Sequence, residues 1–228
     1  MIHVKETADR TGNAGDRPEA FIRNDQFNFI KDQTKILVTG QSTGNDAEVL
    51  SVLRHLAHEK VFKLFPELTQ EQKAILNPLA QVKEKADAEA FLEQLRPYVI
   101  PFKTVTDQGL KKLFPKAKKL KGPKFDTIDF KKLSYLGWVE SSTLMYLVTE
   151  KDGVLHGVHG TLTRSHKKGI CSICNRHSEV GLFTAKTKSS GQDNYTKRGN
   201  YICQDSETCN SNINSLDRLN EFMERLQK

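Results

Sequence analysis

The sequence predicts an α+β fold, with an N-terminal antiparallel helical bundle followed by an α/β domain held by a metal-binding finger. Three observations predict it. Apolar residues recur at helical spacing through the first hundred residues. Segments rich in β-forming residues follow residue 134, and all four cysteines fall between 171 and 209.

Residues 1–18 mix Thr, Gly, Asn, Asp and charges without periodicity and read as a loose arm. From 22 to 38, Ile22, Phe29, Ile30, Ile36 and Leu37 carry a first helix. Gly40-Gln41-Ser42-Thr43-Gly44 is expected to break it as a loop. It is no phosphate loop, because it lacks the Lys-Ser/Thr ending and follows a helix where a strand is needed. Asn45 and Glu48 resemble a capping box for a second helix, whose apolar side is assigned to Val49, Val52, Leu53, Leu56, Val61, Phe62 and Phe65. Pro66 stops that helix. Thr69 with Gln72 opens a third helix, which Pro78 should kink or divide. A fourth segment, 87–97, presents Ala90, Phe91 and Leu95, with Val99 just beyond. Four amphipathic helices with short connections pack as an antiparallel bundle.

Pro101 marks the boundary, which gives an arm at 1–18, a bundle at 19–102 and a second domain at 103–228. Charge divides at the same place. Residues 1–102 hold 13 Lys and Arg against 15 Asp and Glu, and residues 103–228 hold 22 against 13. The second half therefore carries the whole positive excess and is suited to face an acidic partner. Its lysine run, Lys103, Lys111, Lys112, Lys116, Lys118, Lys119, Lys121 and Lys124, reads either as a solvated helix face with a linker or as a docking surface. Strands are expected near 134–140, 144–150 and 154–161, with Lys151-Asp152-Gly153 as a hairpin turn. Ile213, Leu216, Leu219, Phe222, Met223 and Leu226 place a last helix over 211–227. A hydrophobic content of 37% and a charged content of 28% fit a folded, water-soluble chain. With no apolar run near the roughly 20 residues of a membrane span and no secretory pattern at the start, the expected location is the cytoplasm, away from membrane.

The cysteines carry the chemistry. Cys171-Ser172-Ile173-Cys174 is a turn that sets two thiolates on one side of a metal, and Cys203 and Cys209 supply the second pair. Four thiolates close a tetrahedral shell, the mark of one structural Zn2+; catalytic zinc keeps a position for water. Free or disulfide-bonded thiols are the alternative, and His166 or His177 could replace one ligand. His177-Ser178-Glu179 imitates the His-x-Glu of zinc deaminases, but there the histidine precedes the cysteine pair. Between the pairs, Phe183, Lys186, Lys188, Tyr195, Lys197, Arg198 and Tyr201 interleave bases with rings, a surface suited to RNA or protein. Tyr195, Lys197 and Arg198, beside Gly199-Asn200, are expected to project from a turn.

These residues resemble the FusB family of elongation factor G-binding, fusidic acid resistance proteins. The resemblance runs from about Phe27 to the C-terminus. It rests on Phe27-Asn28-Phe29-Ile30, Pro123-Lys124-Phe125-Asp126, Leu136-Gly137-Trp138, Gly169-Ile170-Cys171-Ser172-Ile173-Cys174, and Lys197-Arg198-Gly199-Asn200-Tyr201-Ile202-Cys203-Gln204-Asp205-Ser206. It implies a treble-clef-like four-Cys zinc finger with Cys171, Cys174, Cys203 and Cys209 as ligands. It also implies a non-enzymatic protein that binds elongation factor G mainly through its C-terminal domain and helps release it from the ribosome. Ile170, Arg198, Tyr201 and Phe222 are the implied contact positions, joined by Tyr195 and Lys197 from the basic and aromatic pattern. Where the family's resistance proteins carry an aromatic residue, this chain carries Ile170. The expected form is a monomer, with ribosomal RNA as a further candidate partner. An RNA-binding zinc module without a resistance role is the alternative.

Overall fold

The structure is a computed structural model that describes residues 18–44, 46–117, 119–188 and 195–227. The expected arm, apart from Pro18, lies outside the described residues, as do Asn45 and Lys118. Helices α1 (Asn24–Thr43), α2 (Ala47–Phe62), α3 (Gln70–Leu76) and α4 (Lys85–Leu95) form the N-terminal bundle around Ile22, Ile30, Leu37, Ala57, Val61, Leu76, Leu79, Phe91 and Leu95.

Local signals placed several ends correctly. Thr69 Oγ1 accepts from Gln72 N at 3.2 Å while Thr69 N donates to Gln72 Oε1 at 3.0 Å, the reciprocal cap expected there. Pro78 divides its helix, because α3 ends at Leu76 and a 3-10 turn continues over Asn77–Gln81.

Five expectations are corrected. Ile22 precedes α1 and pairs in a bridge with Val99, while Ile100 N donates to Ile22 O at 2.8 Å. The Gly40–Gly44 stretch is mostly helix, since α1 runs to Thr43. Gly40 is tolerated there because Leu53 of α2 packs so closely that a Cβ would lie 2.3 Å from its Cδ2. The described cap of α2 is Asp46, whose Oδ1 accepts from Glu48 N at 2.9 Å and Val49 N at 3.3 Å. Finally, α2 buries Leu50, Ala57 and Val61, leaving Val49 61% exposed with Val52 and Leu56 also outside. Apolar residues occur on two sides of this helix, and α1 packs on only one of them. On α4 the buried alanine is Ala88, while Ala90 is exposed.

The second half begins with α5 (Asp107–Leu113) and a sheet of strands β1 (Leu136–Val139), β2 (Leu144–Lys151), β3 (Val154–Thr163), β4 (Lys168–Ile170), β5 (His177–Lys188) and β6 (Tyr195–Cys203). Strands β1, β2, β3 and β5 follow one another by antiparallel pairing, and β5 also pairs with β4 and β6. The β2–β3 turn is the expected one, with Asp152 at φ 51° and Gly153 at φ 75°. Two successive positive φ angles match the right-handed strand twist.

Strand β2 is buried on both faces because two cores meet across it. Met145 and Leu147 face one core, which includes Leu162, Phe183, Leu219, Phe222 and the cysteines. Tyr146 and Val148 face the other, with Phe102, Leu110, Phe114 and Leu136. The period of two along a strand makes this partition. The predicted last helix is two helices, α6 (Ser206–Asn212) and α7 (Asp217–Gln227), separated by an extended Ile213. Among the described residues, no helix is long and apolar enough to cross a membrane.

Candidate metal centre and partner surface

The four cysteines arrive on three local devices. Cys171 follows β4, and the turn to Cys174 closes through Asn175 N to Cys171 O at 2.9 Å and Cys171 N to Arg176 O at 3.0 Å. Asn175 takes φ 55°, a left-handed conformation that asparagine adopts more readily than most residues. Cys203 ends β6. Cys209 sits within α6, whose first turn is capped by Asp205 accepting from Thr208 N at 2.8 Å and Glu207 N at 3.2 Å. Burial raises the Asp205 carboxyl, but the bonds from Thr208 and Glu207 outweigh it and hold the group below the usual carboxylate range.

The four sulfurs converge. All lie within 4.8 Å of one another and all are buried. Cys171 Sγ stands 3.8 Å from Cys209 Sγ, and Cys174 Sγ stands 3.7 Å from Cys203 Sγ. A tetrahedral zinc with Zn–S near 2.3 Å separates its sulfurs by about 3.8 Å, so the donor set fits that ion in type and spacing. A disulfide needs about 2.0 Å, and the four cysteines are free thiols. His166 and His177 are exposed and stand outside the cluster.

The electrostatics agree. Hydrogen bonds from the Cys174, Cys203 and Cys209 thiols push Cys171 far below the ordinary thiol range, aided by the Cys174 amide. The Ile173, Cys174 and Cys203 amides approach the Cys171 sulfur at 3.4, 3.5 and 3.3 Å. Acting as donors to Cys171, and buried as well, Cys203 and Cys209 are pushed up. Four buried thiols cannot all ionise unaided; a bound dication is what permits it. The chain therefore holds one structural zinc, and the sulfurs of Cys171, Cys174, Cys203 and Cys209 are placed to hold such an ion.

Around this centre the expected contact residues separate. Ile170 is 65% exposed and Tyr201 is 50% exposed. Ser172 N donates to Tyr201 O at 2.8 Å, which ties the chain two residues beyond Ile170 to Tyr201 on the same finger. Arg198 is exposed and donates to Arg225 O at 3.3 Å, near the end of α7. Phe222 is only 5% exposed and packs on Phe183 with ring centroids 6.0 Å apart, so it supports the sheet from inside.

The turn expected at Gly199-Asn200 is strand. Tyr195–Cys203 pairs residue for residue with β5, from Lys188 opposite Tyr195 to Val180 opposite Cys203. Gly199 allows this: a Cβ there would lie 2.1 Å from Phe183 O. The side chains of Tyr195 and Lys197 lie outside the described residues. Sequence reasoning missed Asn210, next to Cys209, whose side chain accepts from Ser134 N at 2.7 Å and Tyr135 N at 3.1 Å. Nothing in the sequence marked it, because its burial and its partners are set by the fold.

Residues 21–103 match the family model described as elongation factor G-binding protein, N-terminal, and residues 114–227 match that of the FBP C-terminal treble-clef zinc finger. Among solved structures, the fusidic acid resistance protein FusC is similar at a TM-score of 0.80 and 31% identity, over 91% of this chain and 98% of its own. A search of the curated proteins gave no significant match.

Proposed function

The chain belongs to the family of elongation factor G-binding proteins with an FBP-type C-terminal zinc finger, and from that membership we propose that it binds elongation factor G. Binding promotes release of the factor from the ribosome and protects it when fusidic acid holds it there. The observation that carries this reading is the exposed pair Ile170 and Tyr201 on a finger stiffened by zinc. Arg198 lies three residues before Tyr201 on the same strand with its side chain on Arg225 O of α7, and Tyr195 and Lys197 precede it on that strand.

The action is binding alone. A surface that prefers the released conformation of the factor over its ribosome-bound one shifts the population toward release, with no covalent step. The closed shell of four thiolates suits a structural role. The protein works as a cytoplasmic monomer, divided into a bundle at 19–102 and a basic domain at 103–228. Phe102 stands at the crossing and already belongs to the second side, because it packs in the second half's core and its N–H donates to Phe130 O at 2.9 Å.

The test is calorimetric titration of the purified chain with elongation factor G at two salt concentrations, followed by ribosome-release assays with fusidic acid. One-to-one binding that Ile170→Ala and Tyr201→Ala each weaken at least about tenfold supports the reading. Absence of binding to the factor overturns it. Ribosomal RNA is a second candidate partner, since Lys111, Lys112, Lys116, Lys119, Lys121 and Lys124 are exposed and form no ion pair among the described residues. Contact with phosphates would show as a steep fall of affinity with salt. A module that binds RNA alone is the less favoured reading, because the family match extends over both halves of the chain.

A further inference from the structure

Tyr135 stands immediately before β1 with no exposed surface. Its hydroxyl is a buried side-chain polar atom with no hydrogen-bond partner, the single such atom among the described residues. Native cores rarely leave such a group unexplained. The ring lies in the same core as Cys171, Cys203 and Cys209, and burial, with the Cys209 thiol beside it, raises the phenol well above its ordinary range.

The position is held from several sides. Tyr135 N donates to Asn210 Oδ1, and Tyr135 O accepts from Asn210 Nδ2 at 3.0 Å, which fixes its backbone to the residue after Cys209. Gly137 leaves room for the ring, since a Cβ there would lie 2.7 Å from Tyr135 Cε2.

The sulfurs differ in what supports them. Three main-chain N–H groups approach Cys171 Sγ. Among the described residues none reaches Cys209 Sγ; its recorded neighbour is the Cys171 sulfur. Four thiolates around a dication leave two net negative charges in an apolar core, and donors to the sulfurs offset them. A phenol keeps its proton at neutral pH, so it is a donor where a thiolate is an acceptor.

We propose that Tyr135 is a positioning residue of the zinc centre, its O–H donating to the Cys209 sulfur and holding that ligand in place on the metal. The orphaned hydroxyl then has its partner, and Cys209 receives from a side chain the support that Cys171 receives from the backbone. The proposal rests on the zinc centre and is independent of the partner the finger binds.

Tyr135→Phe tests it, because the ring is kept and only the donor is removed. Chelator competition should show zinc bound about 10- to 100-fold more weakly than in the unaltered chain. Cobalt substitution should shift the thiolate-to-metal charge-transfer band, a readout that packing alone would not move. Unchanged zinc affinity with an unchanged cobalt spectrum overturns the proposal. Should the variant fail to fold, the unaltered chain loaded with cadmium-113 decides. A slowly exchanging Tyr135 hydroxyl proton with scalar coupling to the metal supports the bond, and a hydroxyl proton without coupling overturns it. Metal analysis of the unaltered chain separates failure of this inference from failure of the zinc assignment.

Discussion

The Asn28 side chain, on the first helix, donates to the main-chain oxygen of Asn210 at 2.7 Å, across 182 residues of sequence. The same Nδ2 reaches Ile213 O at 2.8 Å, Asn24 Nδ2 reaches Asn210 O at 3.2 Å, and Lys31 Nζ reaches Ser211 O at 3.3 Å. These carbonyls end α6, where a helix leaves its last acceptors without internal partners. Helix α1 of the bundle thus caps the helix that carries a zinc ligand. An ion pair between Asp32 and Arg176 closes the same seam.

Asn28→Ala should therefore destabilise the whole chain. It leaves the Ile213 carbonyl unpaired and Asn210 O with only the longer bond from Asn24, and an unpaired buried group costs about 1–3 kcal/mol. Urea unfolding should show a loss of about 2 kcal/mol or more, and a loss below about 0.5 kcal/mol would refute the capping role.

Phe222 and Tyr201 should separate stability from binding. Phe222→Ala empties a core site and should cost about 3–5 kcal/mol in thermal or denaturant unfolding. Tyr201→Ala removes an exposed ring, so unfolding should change by less than about 0.5 kcal/mol. Binding to elongation factor G should nevertheless weaken at least about tenfold in the same calorimeter. Equal loss of stability in both variants would contradict the placement of the two rings.

Zinc removal should melt the finger first. Metal analysis should return about one zinc per chain, lost in Cys171→Ser and Cys209→Ser. Near-ultraviolet circular dichroism and proteolysis should show the 171–209 region opening on chelation. A metal-free chain with an intact finger would disprove the structural role.

Gly199→Ala should loosen the ribbon formed by β5 and β6. Its Cβ would lie 2.1 Å from Phe183 O and 2.7 Å from Thr184 Cγ2, and the nearer contact is backbone. Relief requires the strands to part, at a cost of about 1–3 kcal/mol. Hydrogen exchange should rise in β5 and β6 more than in β1 and β2; uniform exchange would count against the close approach.

Much of this was legible in the sequence because the signals are local. The cysteine spacing, the Thr69–Gln72 cap, the division at Pro78 and the Asp152-Gly153 turn each act over a few residues, and each formed as read. The misses share a cause in distant partners. Helix α1 runs through Gly40 because Leu53 packs across it, and Gly199 lies in a strand because β5 lies close beside it. Which apolar row of α2 turned inward was decided by where α1 met it. The sequence by itself determined the metal, the fold class and most helix and strand positions. Only the tertiary structure decided that Asn24, Asn28 and Asn210 join the two halves, because an asparagine's amide bonds whatever backbone is brought to it, and no spacing along the chain names that partner.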